Sequence, residues 1–314
     1  MLSGSYNDRC FSININLMRA LLSLYPVFVL LAGGIAIGFS PILVRLSDLG
    51  PVATAFYRLS LALPLLFIML KLVPATAKQV SPDRHDTGLF LLAGTAFALD
   101  IICWHWSITL TTLANATLFA NIAPVFVVIG SWLVWRQKPT TGFVIALLAG
   151  LTGVVILMGS NIESDPTQLK GDLLGIVTAF FYAIYILSVS QLRKQHSAMK
   201  IMFRSTLVSA LIVLPVALMS ENQLWFTSLQ GFFILLTLAL LSHATGQGMI
   251  TWALAHLSAA FSSLTLLIQP VVAAILAWLL FAETLNKVQL AGVVLVLVAI
   301  VLAGNSRKRE DTNL

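Results

Sequence analysis

Two stretches, Leu113–Leu133 (LANATLFANIAPVFVVIGSWL) and Ala259–Leu279 (AAFSSLTLLIQPVVAAILAWL), decide how this chain is read. Setting Pro124 against Pro270 aligns them without a gap, and eight of the twenty-one pairs are identical, among them Val125/Val271, Trp132/Trp278 and Leu133/Leu279. Any two apolar helices share some residues, but a proline followed eight positions later by a tryptophan in both is harder to obtain by chance. The same offset of 146 residues carries Trp106 onto Trp252 and Arg58 onto Arg204. Each stretch also has the ~20 mostly apolar residues that a helix needs to cross a ~30 Å hydrocarbon core.

Further runs of this kind lie on either side of each stretch. Counted along the chain, they are Pro26–Leu46, Pro51–Leu72, Gly88–Ile108, Asn115–Trp135, Gly142–Ser160, Gly171–Gln191, Met199–Ser220, Gly231–Leu254, Ala259–Phe281 and Val288–Gly304. The breaks between them are short and polar, such as Arg136-Gln137-Lys138-Pro139. Of the 314 residues, 59% are hydrophobic and 10% charged, too few charges to solvate the surface of a soluble enzyme. The alternating ten-residue segments of a β-barrel are absent. A net charge of +6 invites nucleic acid, but the basic residues are short flanks of apolar runs, so nucleic acid is not an expected partner. Cys10 and Cys103 fall in a polar tail and an apolar run, which argues against a disulfide. The expected fold class is an all-α polytopic membrane protein of ten transmembrane helices.

Counting Lys and Arg on alternate sides sets the orientation. With the N-terminus inside, thirteen of the eighteen basic residues are cytoplasmic, three (Arg45, Lys170 and Lys287) are external, and Arg58 and Arg204 fall within spans. Both termini are therefore expected in the cytoplasm of a bacterial inner membrane. The expected organisation is a polar tail at 1–25, a five-helix repeat at 26–160, a second at 171–304 and a basic tail at 305–314. Met18-Arg19 offers an alternative translation start.

Five spans per repeat is an odd number, so the second copy enters the bilayer from the other side. Inverted repeats of this kind are a transporter architecture, with substrate bound near the midplane between the halves. Pro41, Pro64, Pro124, Pro215 and Pro270 do not by themselves establish broken helices, because proline is common in membrane helices. The stretch from Trp252-Ala253-Leu254 through Ser258-Ala259, Pro270-Val271, Trp278-Leu279 and Glu283 to Gln289-Leu290-Ala291-Gly292 resembles the EamA-type domain of the drug/metabolite transporter superfamily. The first half is similar in Gly50-Pro51, Arg58-Leu59, Trp106, Ala114, Pro124-Val125 and Trp132. It departs at Gln137, where the second half has Glu283. The resemblance implies a ten-helix secondary carrier of small metabolites that works without ATP.

Ionisable and polar groups within a span are costly and usually face a cavity or a partner. Asp100 is the only acid deep in a span, about twelve residues or 18 Å into the third helix. His243 lies at similar depth in the eighth. Asp100 shares a helix face with Trp104, and His243 with Gln247, at i, i+4 spacing. One reading gives Asp100 a coupling proton or a cationic substrate group, assisted by His243; the other makes it the ion-pair partner of Arg58. Asn121 and Gln269, which flank the paired prolines, and Tyr182 are further substrate-binding candidates. His105, about 140° around the helix from Asp100, reads as an interfacial residue. Gly34-x-x-x-Gly38 and Gly171-x-x-x-Gly175 read as close helix contacts.

No phosphate-cradling Gly-x-x-x-x-Gly-Lys-Ser/Thr loop, His-Glu-x-x-His or Cys/His cluster occurs, so neither cofactor nor metal is expected. The function expected is secondary transport of a small metabolite, with export of an amino acid, drug or metabolite favoured over uptake. Alternatives are an intramembrane enzyme acting on a lipid-like substrate and a channel. The expected partners are the substrate and the bilayer, with the chain a monomer or homodimer.

Overall fold

The computed structural model describes residues 24–72, 84–159, 166–282 and 285–312, the last six of these by backbone alone. The 1–25 tail up to Ser23, the Met18 start, Cys10 and Glu283 lie outside the described residues. The chain is helical, with no strand among the described residues. Among the described residues ten helices are long and apolar enough to cross a membrane: α1 (Leu24–Arg45), α2 (Pro51–Leu72), α3 (Arg84–Leu110), α4 (Leu113–Trp135) and α5 (Thr141–Met158), then α6 (Pro166–Leu192), α7 (Ala198–Ser220), α8 (Leu229–Ala253), α9 (Ala259–Phe281) and α10 (Lys287–Ser306). Pro51–Leu72 and Ala259–Phe281 coincide with the expected runs. Among the other ends, the largest differences are at helix starts, where polar residues extend the helix before the apolar stretch: α3 begins at Arg84 rather than Gly88, and α6 at Pro166 rather than Gly171.

The 146-residue offset holds in the backbone geometry as well as in the side chains. At the start of α4 the Thr112 hydroxyl accepts the Asn115 N–H, and at the start of α9 the Ser258 hydroxyl accepts that of Phe261. These caps satisfy amide groups that a helix start leaves unpaired. Both helices end in a left-handed residue, Arg136 (φ 56°) and Ala282 (φ 55°), the two non-glycine positive φ values among the described residues. Thr140 then caps α5 by accepting from Phe143 N–H. At the equivalent positions Asn286 and Gln289 cap each other reciprocally at 2.8 and 3.0 Å.

α5 and α10 pack along a seam of small residues. A Cβ on Gly153 would meet Val296 N at 2.8 Å and Gly292 O at 2.9 Å, and one on Gly150 would meet Ala299 Cβ at 3.3 Å. Positions fall along α10 as they rise along α5, so the two helices are antiparallel. Gly34 and Gly38 lie against Ile268 and Val272 of α9, and Gly171 and Gly175 against Thr111 and Phe119. Both small-residue motifs serve internal packing.

Four spans are broken: at Phe39 in α1, Leu61 in α2, Asn121–Ile122 in α4 and Leu266–Leu267 in α9. Each break lies two to four residues before Pro41, Pro64, Pro124 or Pro270. Proline lacks an N–H and crowds the carbonyl four residues back, so the preceding turn opens. Shorter i→i−3 bonds take over there: Val125 N–H to Ile122 O in α4 and Gln269 N–H to Leu266 O in α9. Pro215, by contrast, sits inside an unbroken α7. α8 is modified differently, by a π-helical stretch over Leu238–Gln247.

Candidate functional site

Three of the four breaks border one internal cavity, with about 110 Å³ in which water-sized groups can be centred. α1 contributes Gly38, Ser40 and Pro41; α4 contributes Ala120, Asn121 and Pro124; α9 contributes Leu266, Leu267 and Gln269. Arg58, Asp100, Trp104, Tyr182 and Gln247 add charged, polar and aromatic groups to the lining. Seven of the eight residues singled out from the sequence therefore surround the same space.

Its two charges are both buried, Arg58 at 6% and Asp100 at 8% exposure. They are close enough to feel each other's charge. However, among the described residues no nitrogen–oxygen contact within 4.0 Å joins them, so they face each other as a separated pair and not as a direct salt bridge. Arg58 Nε and Gln247 Nε2 are buried without a hydrogen-bond partner. A buried donor left unpaired costs free energy, which a bound oxygen acceptor would recover. Asn121 donates from Nδ2 back to Thr117 O at 2.7 Å, which ties it across the α4 break.

The eighth candidate, His243, is not brought to the cavity. It lies one layer behind Phe97, with ring centroids 5.3 Å apart, and its Nε2 pairs with the Thr206 hydroxyl at 2.8 Å. Phe97 stands between it and the cavity; of the two candidates within the π-helical stretch of α8, His243 and Gln247, only Gln247 lines the space. His105 is fully buried, with Nδ1 2.8 Å from Ile101 O. Sequence reasoning missed Phe97, Thr117, Thr178 and Ser263 in the lining. The repeat offset held a signal for one pair, since it places Thr117 on Ser263.

The two membrane faces differ. On the face opposite the chain ends, a second cavity of about 280 Å³ is lined by Arg45, Leu113, Thr117, Ala273, Ala277 and Gln289 among others. It shares Pro41 and Thr117 with the central cavity. On the face that carries the chain ends, His196 Nε2 lies 3.0 Å from Asp86, and Arg193 Nε donates to Thr251 O at 3.0 Å. Trp252 packs between Tyr25 and His256 there. The Asp86–His196 and Tyr25–Trp252 contacts join residues of the two halves.

Ten apolar helices in two matched halves, around a buried polar cavity, define a multi-pass membrane protein with a central site. The chain belongs to the EamA-like transporter family, which matches residues 24–159 and 169–305, so the domain is present twice. A pseudopaline exporter of Pseudomonas aeruginosa (strain UCBPP-PA14) is 25% identical over 254 residues, covering 81% of this chain and 86% of that protein. An uncharacterized transporter of Archaeoglobus fulgidus is 26% identical over 242 residues, covering 77% and 84%. One solved crystal structure shares the fold with a TM-score of 0.75 at 13% identity, over 89% of this chain and 96% of that one.

Proposed function

We propose that this protein is a secondary active exporter of a small metabolite that carries both a positive and a negative group. The observation that carries this reading is the central cavity, where Asp100 and Arg58 present opposite charges that do not satisfy each other directly. A carboxylate or other oxyanion suits Arg58 and Gln247, and an ammonium group suits Asp100. Trp104 and Tyr182 offer faces for the body of the molecule. When no cationic group is bound, Asp100 is the proposed site of a coupling proton. The similarity to an exporter supports the direction.

The proposed mechanism is alternating access between two inverted repeats, 26–160 and 171–304. The 146-residue offset supports it, because equivalent helices such as α4 and α9 run in opposite directions across the layer. The Lys and Arg distribution supports a bacterial inner-membrane location with both chain ends cytoplasmic. The face that carries the Asp86–His196 pair is then the cytoplasmic one.

Counterflow in proteoliposomes loaded with metabolite pools, run at two pH values, tests the reading. Saturable exchange that a zwitterionic competitor suppresses supports it. Flux that rises linearly with concentration and shows no counterflow indicates a channel and overturns it.

A further inference from the structure

Arg58 and Arg204 stand at equivalent positions in the two repeats but in opposite surroundings. Arg58 lines the central cavity, and Arg204 does not. Arg204 lies six residues past Ala198, about 9 Å into α7, with its guanidinium over the ring of Phe90 on α3 at 5.0 Å. Among the described residues no carboxylate lies within 4.0 Å of it. A cation inside a span is costly, so such a position marks a place where an anionic partner is stabilising. Lys200, Arg204, Leu207, Leu211, Pro215 and Leu218 follow at spacings of three and four, so they share one face of α7. From Leu207 onward that face is exposed, while Met202, Ser205 and Ser209 behind it are buried. On a membrane-spanning helix an exposed apolar face meets acyl chains.

The neighbouring helix ends add charge of the same sign. Phe203 packs on Phe67 of α2 with ring centroids 5.6 Å apart, and Lys71 Nζ lies over the Phe67 ring at 5.5 Å. On α3, whose Gly94 O accepts the Ser209 hydroxyl at 2.7 Å, the first residue is the exposed Arg84. Asp86 is near enough to act on Lys200, but it pairs with His196 Nε2 at 3.0 Å. Among the described residues of these three helix ends, that one carboxylate stands against Lys71, Arg84, Lys200 and Arg204. We infer that Arg204, Lys200 and Lys71 bind the phosphate of an anionic phospholipid, whose acyl chains lie along Leu207 and Leu211. The Phe90 ring holds the guanidinium at the boundary, and its planar fork of donors matches phosphate oxygens. Basic clusters between helices at this level are suited to acidic headgroups. A free phosphate leaves the apolar stripe unused, and a zwitterionic headgroup brings an ammonium group that the cluster repels. The site lies outside the central cavity and depends on the membrane alone, not on the transport reading.

Native mass spectrometry of the full chain, delipidated in detergent, tests this by titration with phosphatidylglycerol and with phosphatidylcholine of the same acyl chains. The expected result is tighter retention of phosphatidylglycerol. Each basic group at a membrane surface adds about a fivefold gain in affinity for acidic lipid. Arg204→Gln therefore weakens phosphatidylglycerol about fivefold, and Arg204→Gln with Lys71→Gln about 25-fold, with phosphatidylcholine unchanged. Arg204→Lys keeps the charge and stays within about twofold of wild type. Lys138→Gln, an exposed cation on the α4–α5 connection, leaves both lipids unaffected. Equal retention of the two lipids overturns the inference, as does an Arg204→Gln variant no weaker than Lys138→Gln. If Arg204→Lys loses as much as Arg204→Gln, the defect is one of packing and the charge is not the ligand, which overturns it too. Displacement of phosphatidylglycerol by millimolar glycerol 3-phosphate shows a site for the free anion and overturns the lipid as occupant.

Discussion

The separated Arg58–Asp100 pair makes a prediction that divides structural from functional roles. The perturbation is a cycle of Arg58→Met, Asp100→Asn and the double variant, read in alkaline solution, where Asp100 of the empty site has released its proton. Unit charges 4 Å apart at an effective dielectric of 20 interact by about 4 kcal/mol. Because Arg58 and Asp100 have no contact within 4.0 Å, their coupling lies below that bound, at about 1–3 kcal/mol. Removing one member of a buried pair leaves the other uncompensated, so each single variant is expected to lose about 2–4 kcal/mol. The double variant is expected to lose less than the sum, the difference being the coupling. Denaturant unfolding of the detergent-solubilised protein measures the cycle, and counterflow on the same samples measures function. If the charges hold substrate, the double variant recovers stability but not exchange. Additivity within ~0.5 kcal/mol would refute the electrostatic argument. So would an Asp100→Asn variant with an unchanged midpoint, since the carboxyl would then carry no charge against Arg58. Recovered exchange in the double variant would refute the substrate role.

Two further outcomes follow from the packing. Gly153→Val drives a side chain into Val296 N and Gly292 O at 2.8 and 2.9 Å, so it should destabilise the α5–α10 seam by about 1–3 kcal/mol or more; a thermal-unfolding midpoint equal to wild type would contradict this. Outside the spans, the Asp48 carboxylate accepts from the Thr227 hydroxyl at 2.7 Å and the Thr227 N–H at 3.0 Å. Chiefly the hydroxyl bond holds it below its ordinary value of 3.8. A depressed folded-state pKa contributes stability that is present above the unfolded value and lost as pH falls through the folded one. Asp48→Asn should therefore be less stable than wild type at neutral pH and converge with it in acid; a gap that persists unchanged in acid would rule out the carboxylate as its source.

Much of the fold could be read from residues because a membrane imposes a simple rule: every span must be long and apolar. Pro51–Leu72 and Ala259–Phe281 met it at both ends. The breaks were less legible. Pro41, Pro64, Pro124 and Pro270 each follow an opened turn, while Pro215 is accommodated within α7. Proline removes one donor wherever it stands, but whether the helix opens depends on what the neighbouring helices offer the freed carbonyl. That information is tertiary.

The same distinction explains the site. Counting residues along a span gives depth, and depth sufficed to place Asp100 and Arg58 around one space. It does not give the direction in which a helix face turns relative to its neighbours, which is why His243, at the right depth, lies behind Phe97. A closer use of the repeat would have helped. His243 and Phe97 are themselves 146 residues apart, and they touch. Two repeat-related residues can touch each other only near the axis that relates the halves, so the pair marks the centre of the molecule. Phe97 is inserted between Tyr185, at a centroid distance of 4.7 Å, and His243. One ring thus separates the buried imidazole from the cavity, which Phe97 lines and His243 does not.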